Sequence, residues 1–342
     1  MTQTYEDLKR EVWEQGRCSG CGACIAVCPA DAIRFLEGSA DAHPFHSGYC
    51  KEVSDGVPCG ACYRVCPRTD NRRAAALEKP LLGGYDAIIS AKATFPVERR
   101  QSGGAVTAIL RNALDEGLID AVVTVGEDPW TMKPFSVLLT TSGELVHHAG
   151  SRYNWWVPTL AILKEAVVRR KYSRIAVVGL PCAVSALQAM RDCDHDLLRP
   201  FGRAIRLVVG LFCTESFDYK KLIEEIIGGV YGVEPWKIRR LNVKGALEVT
   251  DRDGVVHSVP LKDLKACIRP GCSHCTDFTA KDADISAGAV GSPEGFTTLI
   301  VRNPVGAGFI ERAIQNGLLE EGEPPSLAPV ERLARQKAER IP

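Results

Sequence analysis

The 342-residue chain has no net charge, because 42 lysines and arginines balance 42 aspartates and glutamates. That balance leaves no electrostatic footprint for nucleic acid or an anionic membrane surface. Long apolar runs are missing as well, and none approaches the roughly 20 residues of a membrane span. The opening Met-Thr-Gln-Thr-Tyr-Glu-Asp lacks the basic and apolar regions of a signal peptide. A cytoplasmic protein is expected, at most peripheral to a membrane complex. No Gly-x-Gly-x-x-Gly follows a strand pattern, so an ordinary nicotinamide site is unsupported. His43, His46, His147, His148 and His257 have no partner pattern and read as surface or capping residues, and His274 as loop filler.

What the chain has in abundance is cysteine, fourteen in all. In a reducing cytosol, dense Cys-x-x-Cys spacing signals metal ligands more often than disulfides. The first run is Cys18-Ser-Gly-Cys21-Gly-Ala-Cys24-Ile-Ala-Val-Cys28-Pro29, and the second is Cys59-Gly-Ala-Cys62-Tyr-Arg-Val-Cys66-Pro67. In bacterial-type ferredoxins the last cysteine of each such run serves the other cluster. Cys18, Cys21 and Cys24 then share a cluster with Cys66. Cys28, Cys59 and Cys62 form a second set one ligand short, and Cys50, upstream through a longer loop, is the natural fourth. Zinc is the alternative, since Cys-x-x-Cys pairs also build tetrahedral sites, but zinc gains nothing from the full Cys-x2-Cys-x2-Cys-x3-Cys-Pro run. Two [4Fe–4S] clusters are therefore expected.

A further pair, Cys272-Ser-His-Cys275, stands some two hundred residues later. Cys182 and Cys213 each follow an apolar strand pattern, and the carboxyl ends of parallel strands are where open α/β sheets build their sites. They are the favoured partners of the pair. Two unrelated strand-end cysteines beside a redox pair remain the alternative. Cys267 is a weaker candidate and Cys193 reads as an ordinary thiol.

Hydrophobic content of 45% and charged content of 25% are those of an ordinary globular protein with room for two or three domains. The expected fold is α/β: a ferredoxin-like two-cluster domain over 1–72, a polar linker over 73–84, an α/β domain over 85–322 and a C-terminal tail over 323–342. Strand patterns at 120–126, 136–141, 174–180 and 207–212 alternate with helical stripes at 104–118, 159–172 and 219–227. Such alternation predicts a mostly parallel sheet covered on both faces. Residues 236–260 read as antiparallel, turning at Asp253-Gly254. The last residues read as an exposed helix without chemistry.

Three segments suit a nucleotide-like cofactor. Ser102-Gly103-Gly104, leading to Thr107, opens a helix that Ser102 can cap, and its glycines let a phosphate approach the backbone N–H groups. Gly150-Ser151-Arg152-Tyr153 offers a cation and an aromatic. Gly291-Ser292-Pro-Glu-Gly295-Phe-Thr-Thr298 is a second glycine-rich loop.

These segments, with Val-Gly-Glu-Asp at 125–128, Gly-Leu-Pro-Cys at 179–182, Gly-Leu-Phe-Cys-Thr-Glu-Ser-Phe at 210–217, Gly-Cys-Ser-His-Cys-Thr-Asp-Phe at 271–278 and Ala-Asp-Ile-Ser at 283–286, carry a resemblance. The chain resembles the beta subunits of coenzyme F420-reducing hydrogenases and F420-linked dehydrogenases over roughly 85–320. That resemblance implies FAD, a third [4Fe–4S] cluster on Cys182, Cys213, Cys272 and Cys275, and hydride exchange with coenzyme F420. The N-terminal cluster motifs resemble the F420H2 dehydrogenase form of the family, and hydrogenase beta subunits usually lack them. Arg152 departs from the lysine of many members, and arginine is a planar fork where lysine is a point charge. The implied function is oxidation of reduced F420 with electrons leaving singly through the clusters, or the reverse. The partner would be a membrane dehydrogenase, a heterodisulfide-reductase-type complex or hydrogenase subunits. No acid–base residue is expected, with Glu215 and Asp277 as candidates for tuning potentials. Rival readings are a hydrogenase beta subunit, a ferredoxin-dependent chlorophyll-ring reductase on the same scaffold, and a relay without flavin.

Overall fold

The alternating apolar strands assemble, in a computed structural model, into one eight-stranded sheet. Its order is Leu319–Glu321, Ala87–Ala93, Thr297–Val301, Ile285–Gly288, Ile205–Leu211, Ile175–Gly179, Ala121–Glu127 and Pro134–Leu139. The structure describes residues 3–36 and 42–340. Residues 37–41 of the expected cluster segment, and the two residues at each end of the chain, lie outside the described residues.

The sheet is mixed, which corrects the expectation of a mostly parallel one. Four central strands, from Ile285–Gly288 to Ala121–Glu127, run parallel. The strands on both flanks are antiparallel. The reason is the length of the connections. A parallel crossover needs about a dozen residues or more, and the links over 128–133 and 289–296 are too short, so each turns back as a hairpin.

Both faces are covered. Helices Ala105–Asp115 and Pro304–Gln315 press Ile109, Leu110, Phe309 and Ile310 onto Leu207, Val209 and Leu299. On the other face, helix Pro181–Asp192 and the helical turns over 159–169 pack Leu187, Met190, Leu160 and Leu163 against Val177 and Val208. The expected helix at 159–172 is a tight 3-10 turn, Thr159–Ile162, followed by a wide π-type turn, Glu165–Arg169. The three-stranded sheet Ile238–Val243, Ala246–Asp251 and Val256–Pro260 forms as expected.

The cysteine-rich N-terminal segment joins the second of these cores. Ala23, Ala26, Val27, Ala61 and Val65 are buried in the same apolar cluster as Leu160, Ala183 and Leu187. Burying a valine side chain contributes about 1.5–3 kcal/mol, so this segment is held to the sheet by packing and not by ligation alone. The C-terminal helix Leu327–Ala338 is docked too, contrary to the expected exposed tail. Val330 and Ala334 pack with Leu82 and Phe278, and Lys337 is buried. Among the described residues no helix is long and apolar enough to cross a membrane.

Candidate functional site

The buried thiols gather at three adjoining places. Cys24 is raised far above the ordinary thiol range by burial and then by Cys21, Cys18 and Cys66. Cys62 is raised by burial and then by Cys28, Cys59 and Cys50. These four also line one cavity, closed on one side by Tyr5 and His46, whose rings stack 3.5 Å apart. Cys50 is thereby brought beside Cys28, Cys59 and Cys62. Cys213 is raised by burial and then, against Lys337, by Cys272, Cys182 and Cys275.

The sheet sets up the third group. Cys182 opens the helix after strand Ile175–Gly179, and Cys213 stands two residues beyond the adjacent strand Ile205–Leu211, so both lie at the carboxyl edge. The Cys213 N–H donates to the Phe278 carbonyl at 2.9 Å, which ties that edge to the 272–278 loop. The Ser216 N–H approaches the Cys272 sulfur at 3.4 Å. By contrast, Cys267 is buried among apolar residues such as Leu222 and Leu264, with its thiol pushed by burial up to about 11. Cys193 packs loosely against the helix face. Neither joins a group.

The groups adjoin one another. Cys21 is raised to about 12 by burial and then by Cys182 of the third group, while Cys24 also responds to Cys62 of the second. The group at 18, 21, 24 and 66 therefore lies between the other two. Two glycines show how closely the loops meet. A Cβ on Gly271 would stand 2.1 Å from the Cys18 carbonyl oxygen, and one on Gly20, at φ +71°, would stand 2.3 Å from the Arg269 guanidinium. Trp155 donates from Nε1 to the Gly20 carbonyl at 3.1 Å and stacks its ring under Arg269.

Sequence reasoning missed the cations. Arg68, Arg269 and Lys337 are 7%, 3% and 2% exposed, and all three approach the third group. Arg68 donates to the His274 carbonyl at 2.9 Å; burial opposes its charge, but Cys275 and Cys182 outweigh that and hold it charged. Burial lowers Arg269, offset by Cys18, Cys272 and Cys182. Lys337 donates from Nζ to the Cys213 carbonyl. Burial alone would raise the Cys275 thiol, yet Arg68 and Lys337 bring it down to about 7. The signal was present in part: Val330, Ala334 and Lys337 share one helical face by spacing.

The cofactor-like segments meet around residues 99–104. Ser102 does not cap the helix, because Gly104, at φ +74°, occupies the cap position. Instead the Ser102 and Thr297 hydroxyls hydrogen-bond at 2.8 Å, and the Gly103 N–H donates to Thr297 Oγ1 at 3.0 Å. Gly103 is needed for contact with the sheet, since a Cβ there would stand 2.5 Å from the Ala91 carbonyl oxygen. Thr107 lies part-buried in the first turns of that helix. Ser292 hydrogen-bonds with Ser90 at 2.6 Å and with Thr298 at 2.7 Å, while Gly291 and Gly295 adopt positive φ in the same loop. Gly150 packs against the Arg99 carbonyl, Ser151 is exposed, and Tyr153 is raised by burial, partly offset by the Val243 N–H. Arg152 donates to the carbonyls of His148 and Gly150 and faces Glu127, whose carboxyl is raised by burial. The guanidinium Nε of Arg152 has no hydrogen-bond partner among the described residues.

The donor chemistry fits iron–sulfur clusters. Sets of cysteine thiols are the donors that such clusters take.

Comparison with known proteins extends the picture. Residues 88–164 and 172–326 match the family profiles for the N-term and the C terminus of the coenzyme F420 hydrogenase/dehydrogenase beta subunit, and residues 11–34 match a 4Fe-4S binding domain. An uncharacterised protein of Methanocaldococcus jannaschii is 41% identical, over 100% of this chain and 99% of its own. An F(420)H(2) dehydrogenase subunit of Methanosarcina mazei is 32% identical, over 96% of this chain and 91% of its own. Among solved structures, a chain of the F420-reducing [NiFe] hydrogenase complex from Methanosarcina barkeri superposes with a TM-score of 0.72 at 32% identity, covering 77% of this chain and 92% of that one.

Proposed function

The chain belongs to the family of coenzyme F420 hydrogenase/dehydrogenase beta subunits, and from that premise we propose that it oxidises reduced coenzyme F420 and passes the electrons singly to a partner complex. The observation that supports this reading is the series of three adjoining thiol groups, which starts at the carboxyl edge of the sheet and ends beside the surface at Cys50. When bound, a flavin would accept a hydride's electron pair and release single electrons, and [4Fe–4S] clusters would carry them.

Each part of the chain has a task in this scheme. The N-terminus of helix Ala105–Asp115, with Gly103 and Gly104 before it, offers backbone N–H groups to a diphosphate. Ser292 and Thr298 shape the facing loop, and Arg152, whose Nε pairs with Glu127 at 4.0 Å, brings a cation to an anionic or carbonyl oxygen. Cys182, Cys213, Cys272 and Cys275 would hold the first cluster on the route. Cys18, Cys21, Cys24 and Cys66 would hold the middle one, and Cys28, Cys50, Cys59 and Cys62 the outermost. The family extends this to FAD as the flavin and to a membrane dehydrogenase, heterodisulfide-reductase-type or hydrogenase complex as partner. The dehydrogenase form is favoured over a hydrogenase beta subunit, because the M. mazei protein spans 96% of the chain and the hydrogenase chain 77%.

The test is to mix the anaerobic full-length protein with reduced F420 and then add viologen. The fluorescence of oxidised F420 should appear as viologen is reduced. Its absence, in protein that carries both iron and flavin, would sink the proposal. Iron and sulfide without flavin would point to a simple relay, and a bound tetrapyrrole to a ring reductase.

A further inference from the structure

The terminal helix Leu327–Ala338 lies beyond the segment matched by the family profile, which ends at 326. It nevertheless connects two parts of the site. At its start the Ser326 N–H donates to the Gly291 carbonyl at 2.8 Å. At its end Arg340 pairs with Glu215 at 2.7 Å and donates to the Thr214 carbonyl at 3.3 Å. Between them, Val330 and Ala334 seat the helix on Leu82 and Phe278, which places Lys337 against the Cys213 carbonyl.

A lysine that is 2% exposed costs several kcal/mol to bury unless an opposite charge compensates. The carboxylate facing it is Asp277. Arg68 and Arg269 add two more buried cations beside the same four thiols. Three buried cations thus converge on this group, and a thiolate-ligated cluster there would supply the opposing charge. Such a cluster becomes more negative when one electron enters, with no bond made or broken, so a fixed cation beside it favours the reduced form. The group at 28, 50, 59 and 62 has part-exposed Lys51 beside it, and Lys164 donates to the Cys28 carbonyl but is paired with Asp31.

We propose that Lys337, delivered by the terminal helix, raises the reduction potential of the cluster on Cys182, Cys213, Cys272 and Cys275. This rests on the assignment of that cluster made above. The experiment is an anaerobic redox titration of the full-length protein, followed by electron paramagnetic resonance, with dithionite as reductant. In Lys337→Met one couple should move to lower potential by at least tenfold in its reduction equilibrium, about 59 mV for one electron. The other two should stay in place, and Lys337→Arg should restore the original value. Superimposable couples at unchanged iron content overturn the proposal, as does an equal shift of all three or a shift in Lys337→Arg matching that in Lys337→Met. Should Lys337→Met lose iron, Lys337→Gln makes the same measurement, since its amide keeps a donor for the Cys213 carbonyl without the charge. Cys272→Ser separates the two readings, because iron content unchanged in that variant removes the cluster itself rather than the role of Lys337.

Discussion

Around Cys28, Cys50, Cys59 and Cys62 the protein provides a cavity near the surface, flanked by Tyr49, which is 46% exposed. Around Cys182, Cys213, Cys272 and Cys275 it provides three buried cations drawn from the N-terminal segment, a mid-chain loop and the last helix. Both regions offer four thiols, so ligand identity does not distinguish them. What differs is the surroundings: one group lies near the surface beside part-exposed lysines, and the other is enclosed with three buried cations. Exposure and hydrogen bonding are the levers by which a protein sets the behaviour of such clusters. The molecule applies them at opposite ends of a single series.

The comparison can be broken most severely at the inner end. Cys272→Ser should abolish F420-dependent viologen reduction and remove about a third of the iron, leaving the outer groups in place. Iron analysis and electron paramagnetic resonance check this, and loss of all iron would show that the two ends do not assemble independently. Next comes Cys50→Ser at the outer end, which should again cost about a third of the iron while reduction of the bound flavin by F420H2 continues. Flavin bleaching measured by stopped-flow absorbance decides the point.

A smaller effect is expected from Gly271→Ala, which pushes a methyl group into the Cys18 carbonyl. Overpacking of this kind costs about 1–3 kcal/mol and should appear as a lower melting temperature. Iron content should hold while onward transfer slows, because the loops of two groups are forced apart. The smallest effect belongs to a site remote from both ends. Bonds from Arg312 and Asn316 hold Glu116 down to about 2. Its stabilising effect is present above the ordinary carboxylate value and is lost as pH falls through about 2. Glu116→Gln should leave electron transfer unchanged at neutral pH, and a changed viologen rate would show that the effects above are not confined to the two ends.

Much of the site was legible because ligand chemistry imposes spacing. The Cys18–Cys28 and Cys59–Cys66 runs assign seven thiols from local sequence, and Cys182 and Cys213 were found because strand ends are recognisable. Cys50 was expected beside a set one thiol short, and it lines the cavity of that set. The cations were not, since Arg68 and Arg269 follow ordinary turn residues and acquire their role only when segments some two hundred residues apart meet. Lys337 stood in a polar stretch that reads as solvent-exposed. The mixed sheet was missed because strand periodicity carries no direction, and only the short links at 128–133 and 289–296 set it. Ser102 was misread because a serine before a helix looks like a cap until Gly104 takes that position.

The shared core of the N-terminal segment and the sheet bears on how the protein is made. Val27 and Val65 leave the ribosome long before Leu160, Ala183 and Leu187, against which they are finally buried. During that interval the early thiols have no completed wall around them. The wall around them is completed only by the later chain, and the last helix is the final piece set against Cys213.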